Sequence, residues 1–299
     1  MESEQQEMPK MIVAYIDLLG TKERVKNNPI KKAVEPIESY IKVLDTKIVE
    51  EKNHPVKYYE KELQELAKQR SIDSFDYFLP FSDSIFLMSK DCNSFIKQLG
   101  SFVMNSFSIT TNPADAANIG RYPALFRGGV AYEDARPINL IRIVKNKPSI
   151  VEALTGRAVV QAVEFEEEKG VKGPRLFFDK TVYDQLDDDT RDYCRITPEK
   201  HDLYEILWPA FNYIKHSEPQ HDKLEIDEIR KMLKPSYNLW KVYNNTDCSI
   251  HYYNLIELII ASTIQFFDKK CQIRNLAKDE VSKWLKDNDM QDKIDIDKY

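Results

Sequence analysis

No two cysteines in this sequence stand in a Cys-x-x-Cys pair: Cys92, Cys194, Cys248 and Cys271 are scattered along the chain. They read as free thiols in a reducing, cytoplasmic setting, with no dithiol or zinc-ribbon motif among them. The five histidines, His54, His201, His216, His221 and His251, show no metal-ligand spacing either. There is no excess of basic residues. The formal net charge is -6, which argues against direct, sequence-independent binding of nucleic acid, since that needs a basic face. Long apolar runs are missing as well. The most apolar late stretch, Leu255 to Phe267, is interrupted by Glu257 and is too short to cross a bilayer, so any membrane attachment would come through a partner. The polar, acidic start, MESEQQEMPK, does not read as a signal peptide. No internal repeat or low-complexity tract is present.

What remains is a 299-residue chain with 42% hydrophobic and 31% charged residues, enough for a large packed domain or two small ones. Its organising stretch is Met11 to Lys22, MIVAYIDLLGTK. The continuous apolar run Met11 to Ile16 reads as a central strand buried on both faces. It ends in Asp17, a carboxylate that is costly to desolvate unless a cation meets it, and Gly20 then permits a tight turn. Asp17 is expected to serve a metal and the following amides a phosphate; an Asp here would also simply cap the next element.

Downstream, Ser74 to Ser89 reads as a β-hairpin with Ser82-Asp83-Ser84 at its tip, which places Asp83 at a sheet end where it would face Asp17. Helices are predicted from Pro29 to about Lys52, then through Val56, Tyr59, Leu63 and Leu66, and from Asp91 or Asn93 to about Phe107. Thr110 to Tyr122 reads as a loop. Ala124 to Asp134 is a strand broken by Gly128-Gly129, where something should approach closely, and Arg127 stands directly before that pair. A helix opens at Gly156 and closes at Lys169-Gly170, and Arg175 to Asp179 is another strand. Beyond Thr181 a strand at Tyr204 to Trp208 is followed mainly by helices, the clearest at Glu225 to Leu233, Tyr252 to Cys271 and Asp279 to Trp284. Asp187-Asp188-Asp189 reads as a solvated loop, and Trp208, Phe211 and Tyr213 as packing residues. The pattern is α+β and compatible with a ferredoxin-like palm.

The set of pieces resembles the class III nucleotidyl cyclases over about Lys10 to Asp179. Tyr15-Ile16-Asp17-Leu18-Leu19-Gly20-Thr21 stands where that family has F-x-D-I-x-G-F. Ser82-Asp83 stands at the G-D hairpin tip, Arg127-Gly128-Gly129-Val130 at the R-x-G-I strand, and Gly156, Ala162 and Glu166 along the helix that follows. The resemblance implies a cyclase palm over residues 1–180 and a mainly helical C-terminal extension over 181–299. It implies two divalent ions, Mn or Mg, held by Asp17, Asp83 and the Leu18 carbonyl. Amides of Leu19, Gly20 and Thr21 would bind the β- and γ-phosphates of a nucleoside triphosphate. It implies a homodimer, because the family's site lies between two catalytic domains.

Departures from that pattern narrow the reading. Leu79 and Ala153 stand where purine cyclases carry polar base readers, and Val160 and Glu164 replace the family's helix Asn and Arg. Arg127 and Arg157 are the candidates for the missing cation. The pattern is most similar to the bacterial pyrimidine cyclases of Pycsar anti-phage defence. That implies conversion of UTP, or CTP, to the 3',5'-cyclic monophosphate, which acts on a separately encoded effector. A divergent adenylate or guanylate cyclase, and an inactive nucleotide-binding regulator, are the alternatives.

Overall fold

The structure is a computed structural model that describes residues 8–31, 34–35, 37–38, 75–111, 123–144, 147–167, 172–213 and 226–299. The helices predicted between Pro29 and Leu66, most of the loop to Tyr122 and the helix end at Lys169-Gly170 lie wholly or mostly outside these residues.

The chain begins with β1, Lys10–Leu18, and the short helix α1, Thr21–Asn27. The hairpin β2, Tyr77–Phe81, and β3, Ser84–Ser89, comes next. Then follow α2 at Cys92–Thr111, β4 at Phe126–Val144, β5 at Lys147–Gly156 and α3 at Arg157–Glu166. After β6, Leu176–Asp179, two one-turn helices, Lys180–Tyr183 (α4) and Asp188–Arg191 (α5), lead to β7, Cys194–Ile196, and β8, Leu203–Ile206. A 3₁₀ turn, Trp208–Asn212, precedes three long helices: α6 at Ile226–Tyr243, α7 at Ser249–Lys269 and α8 at Arg274–Asp287.

One eight-stranded sheet runs β2-β3-β1-β4-β6-β8-β7, with β5 paired to β4 as a side arm. Neighbours among the first four strands are antiparallel. Strand order 2-3-1-4 with that polarity is the split β-α-β arrangement of a ferredoxin-like palm, so the fold is α+β as the sequence implies. The sheet continues past residue 180, because β8 pairs with β6 and β7 with β8.

Strand β1 is buried on both faces, and its two faces meet different partners. Ile12, Ala14, Ile16 and Leu18 join one large core with α2, the 3₁₀ turn and helices α6 to α8. Met11 and Val13 join a smaller cluster with Ala131, Ala158 and Ala162, under α3. Helices therefore cover both faces of the sheet. Gly129 explains how α3 comes so close: a Cβ there would overlap the Ala162 carbonyl oxygen and lie 2.5 Å from Phe165 Cβ. At Gly128 it would overlap the Tyr15 carbonyl of β1. The close approach predicted at the glycine pair is that of a helix and a neighbouring strand.

Several local signals resolve as structure. Asp91 caps α2, accepting from the amides of Asn93 at 3.0 Å and Ser94 at 3.2 Å. The acidic run is more than a solvated loop. Asp187 caps α5 through the Thr190 amide at 2.7 Å, and Asp189 pairs with both Lys97 of α2 and Lys270 beyond α7, each at 2.6 Å. Trp208 is fully buried and donates Nε1 to the Pro174 carbonyl at 2.8 Å. Strands β5 and β7 and the length of α6, which runs through Pro235, were not anticipated.

Candidate active site

The two acidic residues singled out from the sequence, Asp17 and Asp83, both lie at one end of the sheet. Asp17 is the penultimate residue of β1 and lies opposite Ser84 of β3 on one side and Arg127 of β4 on the other. Strand alternation puts it on the same face as Met11, Val13 and Tyr15, the face covered by α3. Asp83 sits in the two-residue turn between β2 and β3, whose first residue, Ser82, has a positive φ of 61°. The Leu18 amide donates to the Asp83 carbonyl oxygen at 3.0 Å, which ties the hairpin tip to the end of β1.

Asp17 is held in place by a relay. Ser84 Oγ donates to Asp17 Oδ1 at 2.8 Å, and the Tyr15 hydroxyl donates to Ser84 Oγ at 3.0 Å. Burial pushes the Asp17 carboxyl above its ordinary range; the Ser84 hydrogen bond opposes this, Asp83 reinforces it, and Arg127 opposes it again. A half-buried carboxylate beside another, with its charge only partly answered, is an arrangement that a cation relieves.

Arg127 is the nearest strand cation, and it is engaged. Its Nε forms an ion pair with Glu166 Oε1; the Glu166 side chain is 5% exposed and that of Arg127 38%. Burial raises the Glu166 carboxyl, Arg127 opposes the rise, and Asp17 adds to it. Glu166 thus belongs to the same electrostatic unit as Asp17. Sequence reasoning had given it only the end of a helix pattern; its spacing from Ala162 on one face of α3 was the available signal.

Two expectations are revised by the geometry. The Leu19 amide donates to the Leu125 carbonyl at 2.8 Å, so it is not available to a phosphate, and the Gly20 and Thr21 amides remain as candidates. Gly20 has a φ of 80°, which turns the chain from β1 into α1. The Leu18 carbonyl accepts from Thr21 Oγ1 at 3.0 Å and keeps a second lone pair for a ligand. Arg157 is not brought to this end of the sheet within the chain. It is paired with Asp134 and, at 3.3 Å, with Glu133, which lie opposite Lys10 and Met11 at the far end of β1. Leu79 is half-buried opposite Phe86, Ala153 is opposite Ile138, and Val160 and Glu164 point outward from α3.

Among the described residues no group of three or more His, Cys, Asp and Glu side chains forms a metal cluster. Asp17, Asp83 and the Leu18 carbonyl are nonetheless hard oxygen donors at one place. Mg- and Mn-type ions characteristically take one or two protein carboxylates and complete their shells with water and substrate phosphate. The donor set fits such an ion. Among the described residues no helix is long and apolar enough to cross a membrane.

No family model matches this sequence, and no curated protein matches it. Solved structures similar to the chain include a bacterial light-regulated adenylyl cyclase (TM-score 0.41, 13% identity, 67% of this chain and 91% of that one). The guanylyl cyclase Cya2 is similar at TM-score 0.42 and 12% identity, over 67% of this chain and 93% of that one. The adenylyl cyclase CyaB from P. aeruginosa is similar at TM-score 0.43 and 11% identity, over 67% and 94%. The likeness is one of chain layout and assigns no chemistry to this protein.

Proposed function

We propose that this protein is a metal-dependent nucleotide cyclase that converts a pyrimidine nucleoside triphosphate, UTP or CTP, to its 3',5'-cyclic monophosphate and pyrophosphate. The observation that carries the reading is the convergence of Asp17 and Asp83 at the end of β1, with Asp17 oriented by Ser84. A pair of like charges held together and partly buried is costly unless a cation is to sit there. Asp17, Asp83 and the Leu18 carbonyl would hold two divalent ions, Mn or Mg. Bound there, the ions would activate the ribose 3'-hydroxyl and neutralise the triphosphate.

In the reaction, the 3'-oxygen bonds to the α-phosphorus as the bond to the α–β bridging oxygen breaks, and the hydroxyl proton leaves to water. Ser84 and Tyr15 keep the Asp17 carboxylate aimed, and Gly20 and Thr21 offer amides to the departing phosphates. Glu166 fixes Arg127 at the rim, where it would face the charge that develops on the α-phosphate. Apolar Leu79 and Ala153 in place of polar base readers remove the basis for strong purine selection. That favours a pyrimidine, and with it the Pycsar-type role of a second-messenger synthase whose product acts on a separately encoded effector in anti-phage defence. The site is shared between two copies in a homodimer. Arg157, far from Asp17 in its own chain, would reach a site only as a partner's residue. The domain division in the same reading is a catalytic part to residue 180 and a mainly helical part after it, whose strands β7 and β8 extend the catalytic sheet.

One observation favours a second reading. The Arg127–Glu166 pair already answers the cation, as a domain that binds nucleotide and regulates without turnover would have it. Purified protein with Mn and, separately, ATP, GTP, CTP and UTP decides between the two. A 3',5'-cyclic pyrimidine is expected, and Asp17→Ala and Asp83→Ala should each abolish it with the fold intact. A cyclic purine product would overturn the base assignment. Tight nucleotide binding without product would establish the regulator.

A further inference from the structure

Far from the carboxylate pair, the end of α7, the start of α8, strand β7 and the turn Ile296–Lys298 enclose a cleft of about 240 Å³. Its floor is apolar: Ala261 is 4% exposed and Ile264 2%. Its walls carry Arg195, Lys269, Arg274 and Lys298 against one carboxylate, Asp268. Glu205 and Glu257 behind the wall answer Arg195 and Lys298, so the charge left to the cleft is that of Lys269 and, in part, of Arg274, 3.8 Å from Asp268.

The cations are built into the fold to different degrees. Arg195 donates Nε to Glu205 Oε1 at 2.7 Å, and the fully buried Glu205 also accepts from Arg175 at 2.6 Å, so this guanidinium is fixed from behind. Arg195 and Lys298 both lie over the Tyr299 ring, 5.6 Å and 5.3 Å from its centroid. Lys298 pairs with Glu257 at 2.8 Å. Arg274 donates to the Tyr299 main-chain oxygen and stands 3.8 Å from Asp268. Lys269 is exposed, with no ion pair among the described residues.

The backbone adds to the positive field. Helix α8 begins at Arg274 behind Ile273, whose apolar side chain makes no capping hydrogen bond, and no acidic residue lies in the first turn. Its first amides and the positive end of its dipole are open to an anion. The end of α7 would repel an anion, but the carbonyls of Phe266 and Phe267 are taken by the amides of Lys270 and Ile273, both at 2.9 Å.

We infer that this cleft is a second ligand site, one that takes a small phosphorylated organic molecule of about mononucleotide size. Cations and helix amides suit a phosphate; the Tyr299 ring and the Ile264 floor suit a flat, partly apolar body. The volume lies below the roughly 300–1,000 Å³ of sites that enclose larger ligands, so one ring system and one phosphate are the limit. This inference does not depend on the cyclase reading.

The test is calorimetric titration of the full chain carrying Asp17→Ala with three probes: UMP, inorganic phosphate and uridine. Saturable binding of one UMP per chain is expected, at least tenfold tighter than either fragment. Lys269→Gln combined with Arg274→Gln should weaken UMP at least tenfold. Both positions are surface-exposed enough to leave the circular dichroism spectrum and melting temperature unchanged. Absence of saturable UMP binding, phosphate binding as tightly as UMP, or UMP binding indifferent to the paired substitutions would each overturn the inference.

Discussion

Replacing Gly129 by alanine adds one carbon at the point where α3 rests on the sheet. The new Cβ would overlap the Ala162 carbonyl oxygen, lie 2.5 Å from Phe165 Cβ and lie 3.0 Å from the Glu166 amide nitrogen. Unstrained carbon–carbon contacts begin near 3.5 Å, so Phe165 Cβ must retreat by about 1 Å. The obstacles are mostly main chain, which cannot rotate aside, so the whole helix has to lift. That places the cost at the upper end of the overpacking range, about 3 kcal/mol. For a chain of this size the melting temperature should fall by about 5 °C. Lifting α3 also moves Glu166 from Arg127, so any turnover should fall further than stability alone explains. Urea unfolding followed by circular dichroism measures the first effect. Val160→Ala, on the exposed side of the same helix where Val160 is 58% exposed, is the control and should cost less than about 0.5 kcal/mol. A loss below about 1 kcal/mol for Gly129→Ala would refute the idea that the glycine exists to seat the helix.

Ser84→Ala removes the donor that aims Asp17 and should lower activity, or the affinity for the activating metal, by about 10- to 100-fold with little change in stability; rates measured against Mn concentration show it. Glu205→Ala leaves Arg175 buried without its main partner and should destabilise the fold by about 3–5 kcal/mol in urea melts. His251 is half-buried, its Nδ1 accepts the Gly173 amide at 3.1 Å, and desolvation, with Arg127 and Lys172 nearby, lowers its pKa from the ordinary 6.5. Its contribution to stability is therefore complete above pH 6.5 and lost as the pH falls through the lower folded value. The urea midpoint should drop between pH 7 and 5, and His251→Asn should flatten that drop.

The central strand and the hairpin were legible because both signals are local. An unbroken apolar run into Asp17, and two β-rich runs around Ser82-Asp83, specify their own conformations. The helix expected at Tyr252 to Cys271, around the apolar run Leu255 to Phe267, is α7, Ser249–Lys269. The β4–β5 arm was not, because Pro137 and Pro148 interrupt the pattern that a ladder would show, and the pairing joins residues whose sequence neighbourhood predicts little. Arg127 stands directly before the glycine pair in the sequence. That Glu166 holds it is a tertiary fact, set by the seating of α3 on Gly129. The Leu19 amide was misassigned because its acceptor, the Leu125 carbonyl, lies more than a hundred residues away. Arg157 does not reach Asp17 within its own chain because α3 starts beside Asp134, which lies opposite Lys10 at the far end of β1.

The pairing of β6 with both β4 and β8 bears on how the protein can be cut. A chain shortened to end near residue 180 would keep the carboxylate pair but strip the outer side of β6, leaving a bare row of amides and carbonyls at Phe177, Phe178 and Asp179. The apolar surface that Trp208, Tyr213 and Ile259 now cover would face water beside it. An unpaired strand next to such a surface is a template for another chain. Such a fragment should associate with itself, whereas a cut after residue 213, past β8 and the 3₁₀ turn, keeps that edge closed.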